Sequence, residues 1–202
     1  MHRINKLAEL FIKFPGIGPR QAKRFVYILL RQDKDFLDVL SHLIEEIKNA
    51  VMQCVSCYRF FDADGYSDIC DICSSPNRDK EILLILEKDA DLEAIEKSNS
   101  YNGLYFVLGG TVPLFEQNPD SLRTAQLLRR IEKDAAVIKE IVLATSASPE
   151  GDNTAQYIRH AIQQVSTRHE IALSTLGRGL STGTELEYSD RDTIRNALIN
   201  RK

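Results

Sequence analysis

The stretch Ile82-Leu83-Leu84-Ile85-Leu86-Glu87 is a short, continuously apolar run that ends on an acid. An apolar run without alternation suits a strand buried on both faces. Leu104-Tyr-Phe-Val-Leu108, Ile141-Val-Leu-Ala-Thr145 and Ile171-Ala-Leu-Ser-Thr175 have the same character. Helical patterns lie between them, near 90–98, 120–136 and 153–168. This alternation predicts a parallel sheet with helices on both sides. In such folds functional groups collect at the carboxyl ends of the strands. Those ends are acidic here. Glu87 follows the first strand, with Asp89 and Asp91 close behind, and the third strand runs into Thr145-Ser-Ala-Ser-Pro-Glu150-Gly-Asp152.

On these residues the segment resembles a Toprim domain, the module of topoisomerases and primases. That family pairs a glutamate after its first strand with an Asp-x-Asp after a later one, and together they hold magnesium. Glu87 matches the glutamate, but the Asp-x-Asp positions fall on Ser146 and Ser148. Magnesium needs hard, usually carboxylate, oxygens. Two neutral hydroxyls remove two negative charges from the expected site and disfavour metal-assisted phosphoryl transfer. The expectation is therefore a protein that is not an enzyme. One alternative stays open, a Toprim-type magnesium-dependent nuclease or primase-like enzyme using Glu87, Glu150 and Asp152. Another is a zinc-stabilised scaffold.

Ahead of the body lies Cys54-x2-Cys57, twelve residues, then Cys70-x2-Cys73, which uses all four cysteines of the chain. Each pair can place two thiolates on one tetrahedral ion from a tight turn. The spacer is shorter than the roughly 15–20 residues of the usual four-cysteine pattern. Within it, Arg59 to Asp68 suggests a hairpin with a turn near Asp64-Gly65. Disulfides would require an oxidising compartment, for which nothing in the sequence speaks. A redox site would use one C-x-x-C after a strand. The reading is one structural zinc ion per chain on Cys54, Cys57, Cys70 and Cys73, with no coordination position left for a reactive water.

Residues 1–32 hold seven basic residues and one acid, a net +6, so in a chain of net −3 the remainder is −9. Such asymmetry suggests a basic arm on an acidic body. Leu7, Leu10, Phe11 and Phe14 fall on one face of a helix. Phe14-Pro15-Gly16-Ile17-Gly18-Pro19 then makes a tight turn and starts a second helix at Pro19. There Ala22, Phe25, Val26 and Leu29 oppose Arg20, Lys23, Arg24, Tyr27 and Arg31. Gly16 and Gly18 let backbone N–H groups approach an anion, and the following helix N-terminus adds a favourable dipole. The loop resembles that of a helix-hairpin-helix DNA-binding motif. Gly16, Gly18, Arg20, Lys23 and Arg24 are its expected phosphate contacts, with no reading of base sequence. A third helix is expected over 35–53, its stripe of Leu37, Leu40, Ile44, Ile47 and Val51 either core or a subunit contact.

No apolar run approaches the ~18 residues of a membrane span. The amphipathic start lacks a small-residue cleavage site and reads as a first helix, so the expected location is the cytoplasm. Residues 176–190 are glycine-rich but lack a phosphate-binding G-x-x-x-x-G-K-[ST], and suggest a turn and short strand before a last helix over 190–200.

The expected organisation is an α+β chain of several modules. They are a helical DNA-binding region (1–53), a four-cysteine zinc finger (54–75), a Toprim-like domain (76–175) and a glycine-rich tail with a helix (176–202). This order resembles the RecR recombination mediator family of bacterial DNA repair. The cysteine spacing, the Pro-Gly-Ile-Gly-Pro loop and the Pro149-Glu-Gly151 turn all match that family. The resemblance implies a non-enzymatic, ring-shaped homotetramer that surrounds DNA. It also implies work with RecO and RecF to help load RecA at gaps, with Glu87 and Glu150 on an acidic partner-binding surface.

Overall fold

The computed structural model describes residues 2–63, 65, 67–115, 122–180, 183 and 185–199. Helices α1 (His2–Ile12), α2 (Pro19–Leu29) and α3 (Lys34–Ala50) come first, then strands β1 (Val51–Gln53) and β2 (Phe60–Asp62) and a short helix α4 (Asp71–Ser74). The alternating part follows as β3 (Asp79–Leu86), α5 (Asp89–Ser98), β4 (Gly103–Val107), α6 (Thr124–Asp134), β5 (Glu140–Ala144), α7 (Pro149–Arg168) and β6 (Ala172–Thr175). A last helix α8 (Arg191–Ile199) ends the described chain. Two compact units result, Met1–Val51 and Met52–Lys202. Among the described residues no helix is long and apolar enough to cross a membrane.

In the second unit the four long strands form one parallel sheet in the order β4-β3-β5-β6. β3 has a neighbour on each side, Leu84 lying opposite both Tyr105 and Val142. Its apolar run is continuous because alternate residues enter different cores. Leu83 and Ile85 pack with Phe106, Ile141 and Leu143 against Leu127 and Ile131 of α6 and Ile158 and Ile162 of α7. Leu84 and Leu86 pack with Tyr105 and Val107 against Leu92 of α5. That second core is completed by Cys54, Cys57, Cys70 and Ile72. The cysteine segment thus does what a second helix would do in a sheet covered evenly on both sides.

Polar contacts fix this cover. Val107 N donates to Cys57 O at 2.8 Å, so the β4 edge is capped by the cysteine turn. Arg123 Nη1 donates to Val107 O at 2.8 Å and to Tyr58 O at 3.3 Å, and Phe60 N donates to Asp89 Oδ1 at 2.8 Å.

Several local expectations are corrected. β2 pairs with β1, so a hairpin turns at the first cysteine pair, while the turn expected near Asp64-Gly65 falls partly on undescribed residues. Cys54 N to Arg59 O and Tyr58 N to Cys54 O, both 2.9 Å, close that turn. Asp64 lies outside the described residues. α7 begins at Pro149, ahead of the expected 153, because Ser148 Oγ accepts from Gly151 N at 3.1 Å and Pro149 fills the first helical position. Pro149-Glu-Gly151 is therefore the first turn of a helix. In the tail a 3-10 turn, Leu186–Tyr188, stands where a short strand was expected. Residues 181, 182, 184 and 200–202 of that segment lie outside the described residues.

In the first unit α1 and α2 pack through Ala8, Ala22 and Val26, flanked by Ile4, Leu7, Phe11 and Ile17. The buried face of α1 is thus Ile4-Leu7-Ala8-Phe11. Leu10 is more than half exposed because it lies off that packed face, and Phe14 because α1 ends at Ile12 and the chain turns away before it can continue the stripe. α3 starts on the cap of Asp33, whose Oδ1 accepts from Phe36 N at 2.7 Å, and stops at Ala50 because Val51 enters β1. α3 has no buried residue, and Ile44 and Ile47 are 62% and 59% exposed.

A polar clamp ties α5 to the sheet. Arg78 Nη1 donates to Glu96 Oε1 at 2.8 Å, its Nη2 bonds Oε2, and Tyr105 OH donates to Oε1 at 2.5 Å. The Arg78 guanidinium holds the Glu96 carboxyl below its ordinary 4.5, with Tyr105 adding to the effect. Stability from this clamp is fully present above pH 4.5 and is lost as pH falls through the lower folded-state value. Glu96→Gln should cost ~2 kcal/mol at pH 7, and the difference from wild type should shrink at pH 3. Urea denaturation at both pH values checks this, and a pH-independent difference would contradict it.

Candidate functional site

Three places in the chain carry chemistry. At the first, Cys54, Cys57 and Cys70 are buried, Cys73 is half-buried, and all four sulfurs lie within 4.8 Å of one another. Cys57 and Cys70 sulfurs are 3.6 Å apart. Tetrahedral zinc–thiolate bonds of ~2.3 Å place sulfurs about 3.8 Å apart, so the group is spaced to hold one such ion. The N–H groups of Ser56 and Cys70 both donate to Cys54 Sγ at 3.4 Å. Such donors orient and stabilise a thiolate ligand. Hydrogen bonds from Cys57, Cys70 and Cys73 hold the Cys54 thiol well below its ordinary value. Among the described residues this is the single group of three or more Cys, His, Asp or Glu with converging ligand atoms.

The second place is the crevice at the carboxyl ends of β3 and β5. There the strand order reverses, the position where doubly wound sheets bind ligands. The sequence assigns Glu87, Ser146 and Ser148 to it, and the structure brings them together. Glu87 Oε1 accepts from Ser146 N at 2.9 Å and Ser146 Oγ at 3.1 Å, and the two serine hydroxyls lie 2.9 Å apart. A Cβ on Gly151 would come 2.1 Å from Ser146 O, so glycine is required for α7 to close on this loop. Glu87 is only 4% exposed. The expectation that it lies on a partner-binding surface is corrected, because its bonds to Ser146 turn it inward. Glu150 is exposed.

Asp152 does not turn toward Glu87. Its Oδ1 is 2.6 Å from Arg178 Nη2, which also donates to Ser146 O at 3.2 Å. The carboxylates do not converge, one is satisfied by serine, and another is paired with arginine. The residues present do not fit a magnesium ion here. Arg178 escaped the sequence reading, and the one available signal was a lone cation between Gly177 and Gly179.

The third place is the basic face of α2. Arg20, Lys23, Arg24 and Arg31 line one open groove of about 880 Å³ with Gly18, Gln21, Tyr27 and Ile28. Gly16 takes φ +77°, which a non-glycine residue would adopt only under strain. Gly18 is the N-cap, extended at φ −81°, and has no side chain to occupy the first-turn N–H groups. No acid lines the groove, so its charged side chains are all cationic.

Fold and sites together define a two-part protein, a helix-hairpin-helix unit joined to a Toprim body with four clustered cysteines that could hold a metal ion. A family model for the Toprim domain matches residues 81–174, and a model for the helix-hairpin-helix of RecR matches residues 4–48. A recombination protein RecR from Chloroherpeton thalassium is 36% identical over 203 residues, covering 99% of this chain and 96% of that one. Its counterpart in Tropheryma whipplei is 38% identical, covering 94% and 91%. That of Bacteroides fragilis is 36% identical, covering 98% and 92%. The chain belongs to the RecR family of recombination proteins.

Two outcomes test these sites. Cys54→Ala should lose the capacity to hold a metal and loosen the cover of the second sheet face, abolishing cooperative thermal unfolding of the body. A two-state melt at the wild-type temperature would contradict it. Arg178→Gln should release the segment after β6, with faster amide hydrogen exchange over 176–180 and a stability loss of about 1 kcal/mol or less. Unchanged protection there would count against the role of the Arg178–Asp152 pair.

Proposed function

We propose that this chain is a non-enzymatic DNA-binding mediator of recombinational repair. In this reading it forms a ring-shaped homotetrameric clamp and acts with RecO and RecF to help load RecA at gapped DNA. The observation that carries the reading is the α2 groove, where four cations converge with no acid among the lining residues. Arg20, Lys23 and Arg24 would hold neighbouring phosphates, and the backbone at Gly16 and Gly18 would approach them closely. Such contacts position the protein on DNA without reading bases.

Assembly into a ring is supported by α3. Its Leu37, Leu40, Ile44 and Ile47 form an apolar stripe with no buried residue. The acidic partner surface is assigned to Glu150, with Glu87 acting from behind by fixing Ser146. The metal is one zinc ion per chain on Cys54, Cys57, Cys70 and Cys73. Four soft thiolates suit it and close its coordination. Functionally, residues 1–53 grip DNA, 54–75 stabilise, 76–175 meet partners, and in the 176–202 tail Arg178 closes the crevice.

Neutralising Arg20, Lys23 and Arg24 to Gln should weaken binding to a gapped duplex. It should also reduce the slope of log K against log salt by roughly 2–3, near 0.9 per lost phosphate contact. Fluorescence anisotropy over a salt series measures both. Binding that is insensitive to salt, or unchanged in the triple variant, would refute the assignment. Light scattering should find a tetramer that Ile44→Glu dissociates. Metal analysis should find one zinc per chain, and iron or no metal would refute that part.

A further inference from the structure

The second unit carries 17 basic and 23 acidic residues, a net −6, yet four of its cations line one stretch of its surface. Between the first cysteine turn and α6 lie two adjoining hollows of about 240 and 220 Å³. They share Ser56, Ile69, Arg130 and Lys133 and so make one groove. Arg129 stands at one end and Lys80 at the other. The groove's one acid is Asp134, and it is already paired, its Oδ2 lying 2.6 Å from Arg130 Nε. Lys80, Arg129 and Lys133 are exposed, and among the described residues none has a carboxylate within ion-pair reach.

Arg129 and Lys133 are one helical turn apart on the same face, an arrangement that like charges destabilise. A bound anion removes that penalty. The rest of the lining suits a phosphate more than a carboxylate. Ser56 and Gln126 add neutral donors, and an arginine fork matches phosphate oxygens. Tyr58 borders the hollow with its ring fixed by Phe106, centroids 5.2 Å apart, and by the Arg123 guanidinium at 5.7 Å. An aromatic edge beside a line of cations is how proteins follow a single strand without reading its sequence. Two hollows in a row suit a repeating polyanion.

We propose that this groove, through Lys80, Arg129 and Lys133, is a second phosphate-binding site that takes the backbone of a nucleic-acid strand. The inference rests on the reading that the protein binds DNA, but on residues separate from those of the hairpin.

The test uses the full-length metal-bound protein and a fluorescently labelled single strand and gapped duplex. A groove variant (Lys80→Gln, Arg129→Gln, Lys133→Gln) is compared with the hairpin variant (Arg20→Gln, Lys23→Gln, Arg24→Gln), their combination, and a control (Lys97→Gln, Arg168→Gln). Each phosphate contact contributes about 0.7–0.9 to the salt slope. The groove variant should lose roughly 2 of that slope on single strands, and the combination should fall below either parent, with the control unchanged. A groove variant that binds like wild type while the hairpin variant is impaired overturns the groove and spares the hairpin. The opposite pattern overturns the hairpin reading and spares the groove. Calorimetry with inorganic phosphate and with an acidic decapeptide separates other sources of negative charge. Groove-dependent binding of either, without a change in DNA slope, overturns the proposal. If the triple variant loses metal or structure, the single substitutions serve, each expected to lower the slope by about 0.7–0.9.

Discussion

Leu84, Leu86, Tyr105 and Val107 present an apolar sheet face that α5 alone does not cover. Burying each such side chain is worth about 1.5–3 kcal/mol, so an uncovered face would cost the body much of its stability. The cysteine segment supplies the missing cover. Its sulfurs and Ile72 enter the same core, and Cys57 O accepts from the edge strand at Val107. A metal held by Cys54, Cys57, Cys70 and Cys73 would therefore do more than shape a small finger, because it would tie this cover onto the sheet.

The crevice keeps the geometry of a Toprim site and changes its chemistry. A buried carboxylate needs compensation, and here Ser146 provides it with one N–H and one O–H. Ser148 caps α7 instead of facing a metal. Arg178 brings a fixed positive charge to the rim and pairs with Asp152. Internal hydrogen bonds and an arginine thus perform the neutralising task that a divalent ion performs in the enzymes of this fold.

Charge is sorted along the chain with equal economy. The hairpin concentrates cations on one face of α2, opposite its apolar face. The body is acidic overall and exposes Glu150. An acidic body repels polyanions except where cations are grouped. The stripe on α3 leaves an apolar surface that the chain does not bury by itself.

The cysteine spacing, the hairpin loop and the four apolar runs were legible because each is a local pattern with one physical meaning. Two thiolates per tight turn, a glycine–proline corner and a strand buried on both faces all follow from neighbouring residues. Glu87, Ser146 and Ser148 were legible as a group because strand ends meet at a predictable edge. Other features were decided by packing between residues distant in the chain. Leu10 and Phe14 keep helical spacing with Leu7, yet α2 is short and buries Ile4, Leu7, Ala8 and Phe11 instead. Glu87 turns inward because Ser146, far along the sequence, offers two donors. Arg178 finds Asp152 only once β6 lies beside β5, and the cysteines become sheet core only once β3 and β4 pair. Periodicity and spacing report what a segment will become. Which of two apolar faces is covered, and which of several acids is buried, depends on what the fold brings against them.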